Sequence, residues 1–281
     1  MNILFWNTGL TGKRTANATS IEMCLREIIE ENGVDLLVLA EYSGEIDMLC
    51  NQLTVQFSPL FNTNKYIKAM INPKYKTETL MDQSRYFAIK ITTVLYTLIV
   101  GMIHGVSKWR SSEEKQEMGM GDFIADISRC ESDHNCTNTI VIGDFNVNPF
   151  EEACISARNL HAIPFREEVQ KKRRGHPVGS RGIDKRSVPM FYNPTWKLMG
   201  RKAPPYTTYH YDSRGEPINY YWNAFDQAIV RPQLIKAFDE NRLSIITATR
   251  NHALIKENGT PDEKNYSDHL PLFCVLREEY I

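Results

Sequence analysis

Long hydrophobic runs are missing from this chain of 281 residues, whose composition is 42% hydrophobic and 24% charged. A membrane-spanning helix needs roughly 20 consecutive apolar residues, and the longest candidate, residues 94–103, is interrupted by Tyr96, Thr97 and Gly101. The start of the sequence also lacks the basic region and apolar stretch of a signal peptide. We therefore expect a soluble globular protein that stays in the cytoplasm and has no membrane partner.

Cysteine is scarce, and its spacing argues against a fold that depends on a structural metal site. The six cysteines are scattered, and the sequence contains no Cys-x-x-Cys pair. Cys130, His134 and Cys136 are close together, but a structural zinc site needs four ligands. The more economical interpretation is that most of the cysteines are small core residues.

A short apolar stretch at residues 139–142 runs into Gly143-Asp144-Phe145-Asn146. The β-branched residues that stop at a glycine predict a buried strand. Positions two apart in an extended segment point to the same side, so Asp144 and Asn146 are expected to project together from the strand end. Gly, Asp and Asn are also common turn residues, so this motif alone leaves a functional site and a plain turn equally open.

Polar residues end other predicted strands as well. Asn7, Glu41 and His104 each follow an apolar run. Asn7 taken alone merely begins a turn, and a lone histidine is more often structural than catalytic. Strand ends in α/β proteins are nevertheless where sites collect, so the repetition of this pattern favours a polar site.

Two further acidic residues flank the last predicted strands. Asp226 stands at the beginning of one strand, and Asp268-His269 directly precedes the final one. A carboxylate next to an imidazole orients the ring or favours its protonated form. These residues extend the candidate site to the C-terminal part of the chain.

Positive charge is concentrated in residues 165–202, which hold 11 lysines and arginines against 3 acids, a local net charge of +8 that leaves −9 elsewhere. Such separation suits a polyanion such as nucleic acid, although the glycines in this segment equally suit a solvated loop. Nearby aromatic residues can stack nucleobases or pack on a sheet. Residues 106–110, which include Trp109 and Arg110, form a basic and aromatic stretch with the same two interpretations. The candidate substrate-binding residues are Lys108, Arg173, Arg174, Trp196, Trp222 and Asn223.

These motifs, in this order, resemble those of the endonuclease/exonuclease/phosphatase superfamily, the DNase I-like proteins. The matching elements are Trp6-Asn7, Glu41, His104-Gly105, Gly143-Asp144-Phe145-Asn146, Phe225-Asp226-Gln227 and Ser267-Asp268-His269. The resemblance implies an α/β (α+β) fold, a four-layered sandwich of two mainly antiparallel β-sheets packed face to face with helices outside. It also implies one domain over residues 1–281 with a basic, loop-rich insert at about 165–202. Residues 191–232 resemble an uncharacterised bacterial branch, which suggests a defence or repair setting.

The resemblance assigns the metal and the attacking water to one group of residues. Glu41, with help from Asn7 and with Asp268 as a further candidate, would hold Mg²⁺, or Mn²⁺ in its place. Asp144 would activate or position the water. Asn146 would fix Asp144 and donate to the phosphate.

The remaining roles concern charge on the substrate. His269, oriented by Asp268, would stabilise charge on the pentacovalent phosphorus. His104 and Asp226 would form the second half of the site, near the leaving-group oxygen.

The function implied is a divalent-metal-dependent phosphodiester hydrolase, a nuclease acting on DNA or RNA. The alternatives are a phosphomonoesterase or phospholipase-type enzyme, and a non-catalytic nucleic-acid-binding module. The inositol phosphatase element Pro-Ser-Trp-x-Asp-Arg is not found, and its nearest counterpart is Asn193-Pro194-Thr195-Trp196-Lys197. A cytoplasmic nuclease needs restraint, so we expect a regulatory protein partner or a covering loop at residues 111–121 or 171–187.

Overall fold

A computed structural model of the protein describes residues 1–11, 17–108, 111–215 and 217–281. The strands are β1 (Asn2–Asn7), β2 (Leu36–Ala40), β3 (Ser58–Leu60), β4 (Ile67–Ile71), β5 (Lys76–Asp82), β6 (Tyr86–Thr92), β7 (Thr97–His104), β8 (Thr139–Asp144), β9 (Ala162–Ile163), β10 (Ser180–Ile183), β11 (Arg186–Pro189), β12 (Phe191–Tyr192), β13 (Tyr209–His210), β14 (Trp222–Asn223), β15 (Asp226–Val230), β16 (Ser244–Ile245) and β17 (Leu272–Val275). The helices are α1 (Ala18–Asn32), α2 (Ile46–Gln52), α3 (Glu113–Asp133), α4 (Glu152–Ile155), α5 (Arg166–Gln170) and α6 (Trp196–Met199).

Two large sheets contain most of the strands. The first sheet has the order β16-β17-β1-β2-β4-β3, and the second has the order β5-β6-β7-β8-β15-β12-β9. Most neighbours are antiparallel, while β1–β2, β7–β8 and β9–β12 are parallel pairs. Two small hairpins, β10–β11 and β13–β14, lie outside these sheets.

The main core lies between the two large sheets, and β8 shows why its sequence is apolar throughout. Ile140 and Ile142 belong to the same buried cluster as Phe5 of β1. Val141 points the other way and packs in a second cluster with Phe123 of α3. A strand buried on both faces is a continuous apolar run, and each buried isoleucine contributes roughly 1.5–3 kcal/mol. The layers are therefore helix, sheet, sheet and helix, and the predicted four-layered sandwich is confirmed.

Helix α3 corrects one predicted covering loop. Residues 111–121, which contain Gly119 and Gly121, were one of the two candidate covering loops, but the helix runs without a break from Glu113 to Asp133. Each helical glycine costs about 1 kcal/mol relative to alanine. Burial of Met120, Phe123 and Ile127 against the second sheet outweighs that cost.

The second predicted covering loop, residues 171–187, contains most of the β10–β11 hairpin, in which Ser180 pairs with Pro189 and Ile183 with Arg186. The apolar run 94–103 is also only partly strand. Val94 and Leu95 are exposed in the β6–β7 turn, where the Thr93 hydroxyl accepts hydrogen bonds from the Leu95 and Tyr96 amides. Among the described residues, no helix combines the length and hydrophobicity that a membrane crossing requires.

Candidate active site

Three neighbouring strands of the second sheet bring polar residues into one row. His104 at the end of β7 pairs with Asp144 at the end of β8, and Asp144 pairs with Asp226 at the start of β15. Gly143 allows this close approach, because a Cβ at its position would lie 2.0 Å from the Ile103 carbonyl oxygen and its φ is +155°. Residues directly opposite each other in a sheet lie on the same face. The row therefore places an imidazole and two carboxylates side by side.

Asp144 lies at the centre of this row and is 2% exposed. Its Oδ2 accepts a hydrogen bond of 2.9 Å from Asn7 Nδ2, which reaches across from β1 of the first sheet. Burial, together with the charge of Asp226, raises the pKa of Asp144 against the opposing effects of His269 and His104. A buried carboxylate with a raised pKa is suited to accept a proton near neutral pH.

Asn146 reaches the site by a different route from the one expected. The strand ends at Asp144, and Asn146 adopts a left-handed conformation with φ 54°, which asparagine tolerates better than most residues. The Asn146 backbone amide donates to Asp144 Oδ1 at 2.8 Å, and its Nδ2 donates to the Gly105 carbonyl at 3.2 Å. The motif is thus both a turn and part of the site.

Glu41 and His104 form a second pair at the same end of the sandwich. Glu41 Oε1 lies 3.1 Å from His104 Nε2, and Oε2 accepts a hydrogen bond of 2.7 Å from the Thr11 hydroxyl. Burial opposes ionisation of Glu41, but the hydrogen bonds from His104 and Thr11 outweigh it and lower its pKa to about 2. Glu41 is therefore a carboxylate at neutral pH.

A stack of planar groups supports His104. Its ring stacks on Tyr66 with a centroid distance of 5.2 Å and an interplanar angle of 15°. The Arg85 guanidinium lies 4.7 Å from the centroid of the same tyrosine ring. Neither Tyr66 nor Arg85 has a functional signal in the sequence, although Tyr66 immediately precedes β4 and its carbonyl accepts a hydrogen bond from the Glu41 amide.

His269 is held by Asp226. Its Nδ1 lies 2.8 Å from Asp226 Oδ2 and 3.1 Å from Oδ1. Burial lowers the pKa of His269, but the charge and hydrogen bond of Asp226, with smaller contributions from Asp144 and Asp268, outweigh burial and raise it to about 10. The ring also lies 4.5 Å from that of Tyr209, a contact that the sequence did not indicate. The site therefore contains an imidazolium.

One predicted pairing is corrected by these contacts. The carboxylate at His269 Nδ1 is Asp226, where Asp268 had been expected to orient the ring. His104 is paired with Glu41, and the placement of His104 and Asp226 near the leaving-group oxygen stays a prediction. Asp226 at the start of β15 contacts the His269 ring directly, and Asp268 makes a smaller electrostatic contribution to the raised pKa of His269.

Neither a scan against models of protein families nor a comparison with curated proteins gives a match. Solved structures do match. D. rerio TDP2 complexed with single strand DNA product is 15% identical over 98% of this chain and 97% of its own, with a TM-score of 0.56. TDP2 from C. elegans is 13% identical over 98% of this chain and 74% of its own, with a TM-score of 0.60. An endonuclease/exonuclease/phosphatase family protein from Leptotrichia buccalis is 14% identical over 98% and 99%, with a TM-score of 0.54. The chain has the endonuclease/exonuclease/phosphatase fold.

Within this fold, the donor set at the site suits a divalent cation. One atom each of Asp144, Asp226 and His269 lie within 4.8 Å of one another. His269 is a poor metal ligand, because its Nδ1 is hydrogen-bonded to Asp226 and its raised pKa favours the protonated, positively charged ring. The oxygen donors are better suited: the ionised Glu41, and Asn7, whose Oδ1 accepts a hydrogen bond from the Gly9 amide. Oxygen ligands favour hard cations.

Asn223 and Trp222 lie close to this site, in β14. Tyr209 of β13, which contacts His269, pairs with Asn223. Asn223 Oδ1 accepts a hydrogen bond of 2.9 Å from Asn148 Nδ2. The Trp222 ring meets that of His210 edge to face at 4.9 Å. Asn223 is therefore directly opposite Tyr209, which contacts His269, whereas Trp222 packs with His210 on the other face of the hairpin.

Lys108 lies near the site, whereas the ring contact of Trp196 is with Phe150. The Lys108 ammonium forms an ion pair with Glu151 and lies 5.7 Å from the centroid of the Phe225 ring, next to Asp226 in sequence. Trp196 at the start of α6 packs edge to face with Phe150 at 6.3 Å. Trp109 and Arg110, from the same basic stretch as Lys108, lie outside the described residues.

Arg173 and Arg174 are not brought to the site. Arg173 donates to Glu168 Oε2 at 2.8 Å, and Arg174 is exposed in the turn before the β10–β11 hairpin. That hairpin packs on Pro232, beyond the end of β15 that is farthest from Asp226. A strand of this length spans about 13 Å. The basic segment was recognised from composition, but its position at the opposite end of the sheet was not.

Proposed function

We propose that this protein is a Mg²⁺-dependent phosphodiester hydrolase that cleaves nucleic acid. The observation that carries the proposal is the meeting of a raised-pKa carboxylate, Asp144, an imidazolium, His269, and an ionised oxygen ligand, Glu41, at one end of the endonuclease/exonuclease/phosphatase fold. A phosphodiester is anionic, and attack by water adds further charge. A site that offers a proton acceptor beside positive charge suits that reaction.

Asp144 is the proton acceptor in this proposal. Its carboxylate is fixed by Asn7 at Oδ2 and by the Asn146 amide at Oδ1, so it is oriented before substrate arrives. Its raised pKa brings proton affinity closer to neutral pH than the ordinary value of about 3.9. Asp144 would take a proton from the attacking water as the new oxygen–phosphorus bond forms and the bond between phosphorus and the leaving-group oxygen breaks.

His269 and Glu41 manage the charge of the phosphate. His269, kept protonated by Asp226, donates a charge-assisted hydrogen bond to a phosphoryl oxygen. Glu41 and Asn7 would hold Mg²⁺, with Mn²⁺ as a substitute, and the cation supplies Lewis-acid stabilisation when bound. His104 is paired with Glu41 and stacked on Tyr66, and it lies on the opposite side of Asp144 from Asp226. The leaving-group oxygen is expected on the His104 side.

The rim of the site favours nucleic acid as the substrate. Tyr209 and Lys108 place an aromatic ring and a cation near the catalytic groups, a combination that suits bases and phosphates together. The D. rerio TDP2 structure that shares this fold is described as complexed with single strand DNA product. A single domain over residues 1–281, a cytoplasmic location, a bacterial origin in defence and a regulatory protein partner stay predictions.

A cleavage assay tests the proposal. Purified protein is incubated with end-labelled single- and double-stranded DNA and RNA in the presence of Mg²⁺, Mn²⁺ or chelator. We expect metal-dependent cleavage that falls by about 10²–10⁴-fold in Asp144→Asn, with a comparable loss in His269→Gln. Glu114→Gln, which changes an exposed acid in the first turn of α3, is the matched control and should cleave normally.

Other outcomes of the same assay select the alternatives. Turnover of phosphomonoesters or lipid headgroups without cleavage of any polymer would indicate a small-molecule phosphoesterase. Tight binding of a polymer without hydrolysis in any divalent metal would indicate a binding module. Unchanged cleavage in Asp144→Asn would refute the assignment of the proton acceptor.

A further inference from the structure

A pocket of about 210 Å³ opens beside the proposed active site, between the β5–β6 turn, the end of β7 and one face of α3. None of the catalytic groups named above lines it. Its walls combine polar and apolar side chains: Gln83, Ser84, Arg85 and Asp122 supply hydrogen-bonding groups, whereas Ile103 and Met120 supply apolar surface.

Gly105 forms a wall that the pocket and the active site share. It follows His104 directly, and its carbonyl accepts hydrogen bonds from Asn146 Nδ2 at 3.2 Å and from Arg85 Nη1 at 3.1 Å. A Cβ at Gly105 would lie 2.2 Å from the Phe145 carbonyl oxygen, so no side chain fits at this position between the pocket and the active site. A ligand group in the pocket would therefore be separated by Gly105 from the row formed by His104, Asp144 and Asp226.

Gln116 of α3 ties the pocket to the catalytic loop. It is 4% exposed, lines the pocket, and donates to the Val106 carbonyl at 2.8 Å and to the Asn146 carbonyl at 2.9 Å. On the other side, Arg85 lies over Tyr66, which stacks on His104. Both sides of the pocket are thus in contact with elements that position the reacting groups.

The size and charge of the pocket define what it can bind. It is smaller than the roughly 300–1,000 Å³ of pockets that hold whole drug-sized ligands, so it suits one ring system. Arg85 and Asp122 balance each other in charge, which disfavours a second phosphate or an anionic headgroup. A neutral planar group with apolar faces and a polar edge matches both features, and a nucleobase is such a group.

We propose that this pocket receives one nucleobase of the substrate, next to the phosphate that is cleaved. The inference deepens the proposed function and rests on it. The base would enter with its faces against Ile103 and Met120 and its edge towards Arg85 and Asp122. The pocket thereby fixes the register of the strand on the catalytic row.

Gly119 offers a way to fill the pocket without touching the catalytic groups. It lines the pocket from α3, and a Cβ there meets only Val106 Cγ2, at 3.7 Å. Gly119→Leu would occupy the space, and Gly119→Ala is a milder variant that also favours the helix. Gly121→Ala is the matched control, because its Cβ would face Asn159 Oδ1 at 3.4 Å and not the pocket.

The test is a binding scan with short single-stranded oligonucleotides that carry 2-aminopurine at each position in turn. In chelator-treated protein, we expect the fluorescence to change at one position, and replacing that base by an abasic spacer to weaken binding about 5- to 100-fold. Gly119→Leu should abolish both the fluorescence change and the effect of the spacer, and Gly119→Ala should reduce them. Gly121→Ala should behave as the unmodified protein does.

The outcomes separate this inference from the proposed function. Equal fluorescence changes in the unmodified protein and in a folded Gly119→Leu variant would overturn the pocket assignment, as would the absence of a position-specific change in the unmodified protein. A change that Gly119→Leu removes, in a protein that cleaves no polymer with any metal, would retain the pocket and reject the hydrolase. Circular dichroism and the melting temperature establish that each variant is folded.

Discussion

Replacing Asp226 by asparagine should lower the pKa of His269. The pKa of about 10 lies above the ordinary value of 6.5, and the difference corresponds to roughly 5 kcal/mol in favour of the imidazolium. Burial opposes this preference, and Asp226 is the largest of the groups that outweigh it. Asparagine keeps the shape of the side chain and removes its charge. A neighbouring opposite charge contributes about 1–3 pH units to a pKa, so the His269 pKa should fall by roughly that amount.

The assay is a pH titration of the imidazole by nuclear magnetic resonance in chelator-treated protein, so that no cation competes with the proton. Asp268→Asn is the control, because Asp268 contributes less to the raised pKa than Asp226 does. We expect a much smaller decrease in that variant. If His269 keeps its high pKa in Asp226→Asn and loses it in Asp268→Asn, the geometry proposed for this pair is wrong.

The Asp226–His269 pair should also affect how the free energy of unfolding depends on pH. The pKa of His269 is higher in the folded protein than in the unfolded chain, so its contribution is fully present below about pH 6.5 and is lost as the pH rises through about 10. The free energy of unfolding should therefore fall over this range by up to ~1.4 kcal/mol per pH unit from this group. In Asp226→Asn the decrease should begin and end at lower pH. Equal slopes in the two proteins across pH 8–10 would contradict the assignment.

Three further predictions concern other charged groups. Glu41→Gln should raise the Mg²⁺ concentration for half-maximal cleavage at least ~10-fold, because an ionised ligand is lost. Glu131→Ala should lower the free energy of unfolding in urea by about 3–5 kcal/mol, because it removes the carboxylate that binds the buried Arg231 guanidinium at 2.8 and 3.0 Å. Replacing Glu131 and Arg231 together by Leu and Met should recover most of the loss. Burial lowers the pKa of His161 to about 4, so stability should fall by up to ~3 kcal/mol as the pH decreases from about 6.5 to 4, and less in His161→Gln.

The strands and the polar residues at their ends could be predicted because their signals are local. The apolar run before Asp144 and the polar residue that follows each strand are visible without knowing any partner, and Asp144, Asp226 and His104 do lie in one row. Pairings between distant segments gave no such signal. Asp268 stands next to His269 in sequence, yet the carboxylate at Nδ1 comes from a residue 43 positions away.

Contacts made by ordinary residues were also hidden. Tyr66, Tyr209 and Asn148 look unremarkable in the sequence, and each becomes important through a neighbour far along the chain. An aromatic-rich segment around Tyr209 was the one available hint. Composition likewise revealed the basic segment at 165–202 but carried no information on which end of the sheet it occupies.

The row formed by His104, Asp144 and Asp226 also determines where this chain can change during evolution. An inserted or deleted residue within β8 would rotate Asp144 to the other face of its strand and break its alignment with both neighbours. The segments around the row, such as the β5–β6 turn and the β13–β14 hairpin, are not bound by that register. Their length and composition can change while the row stays intact, so relatives of this protein should differ around the row before they differ within it.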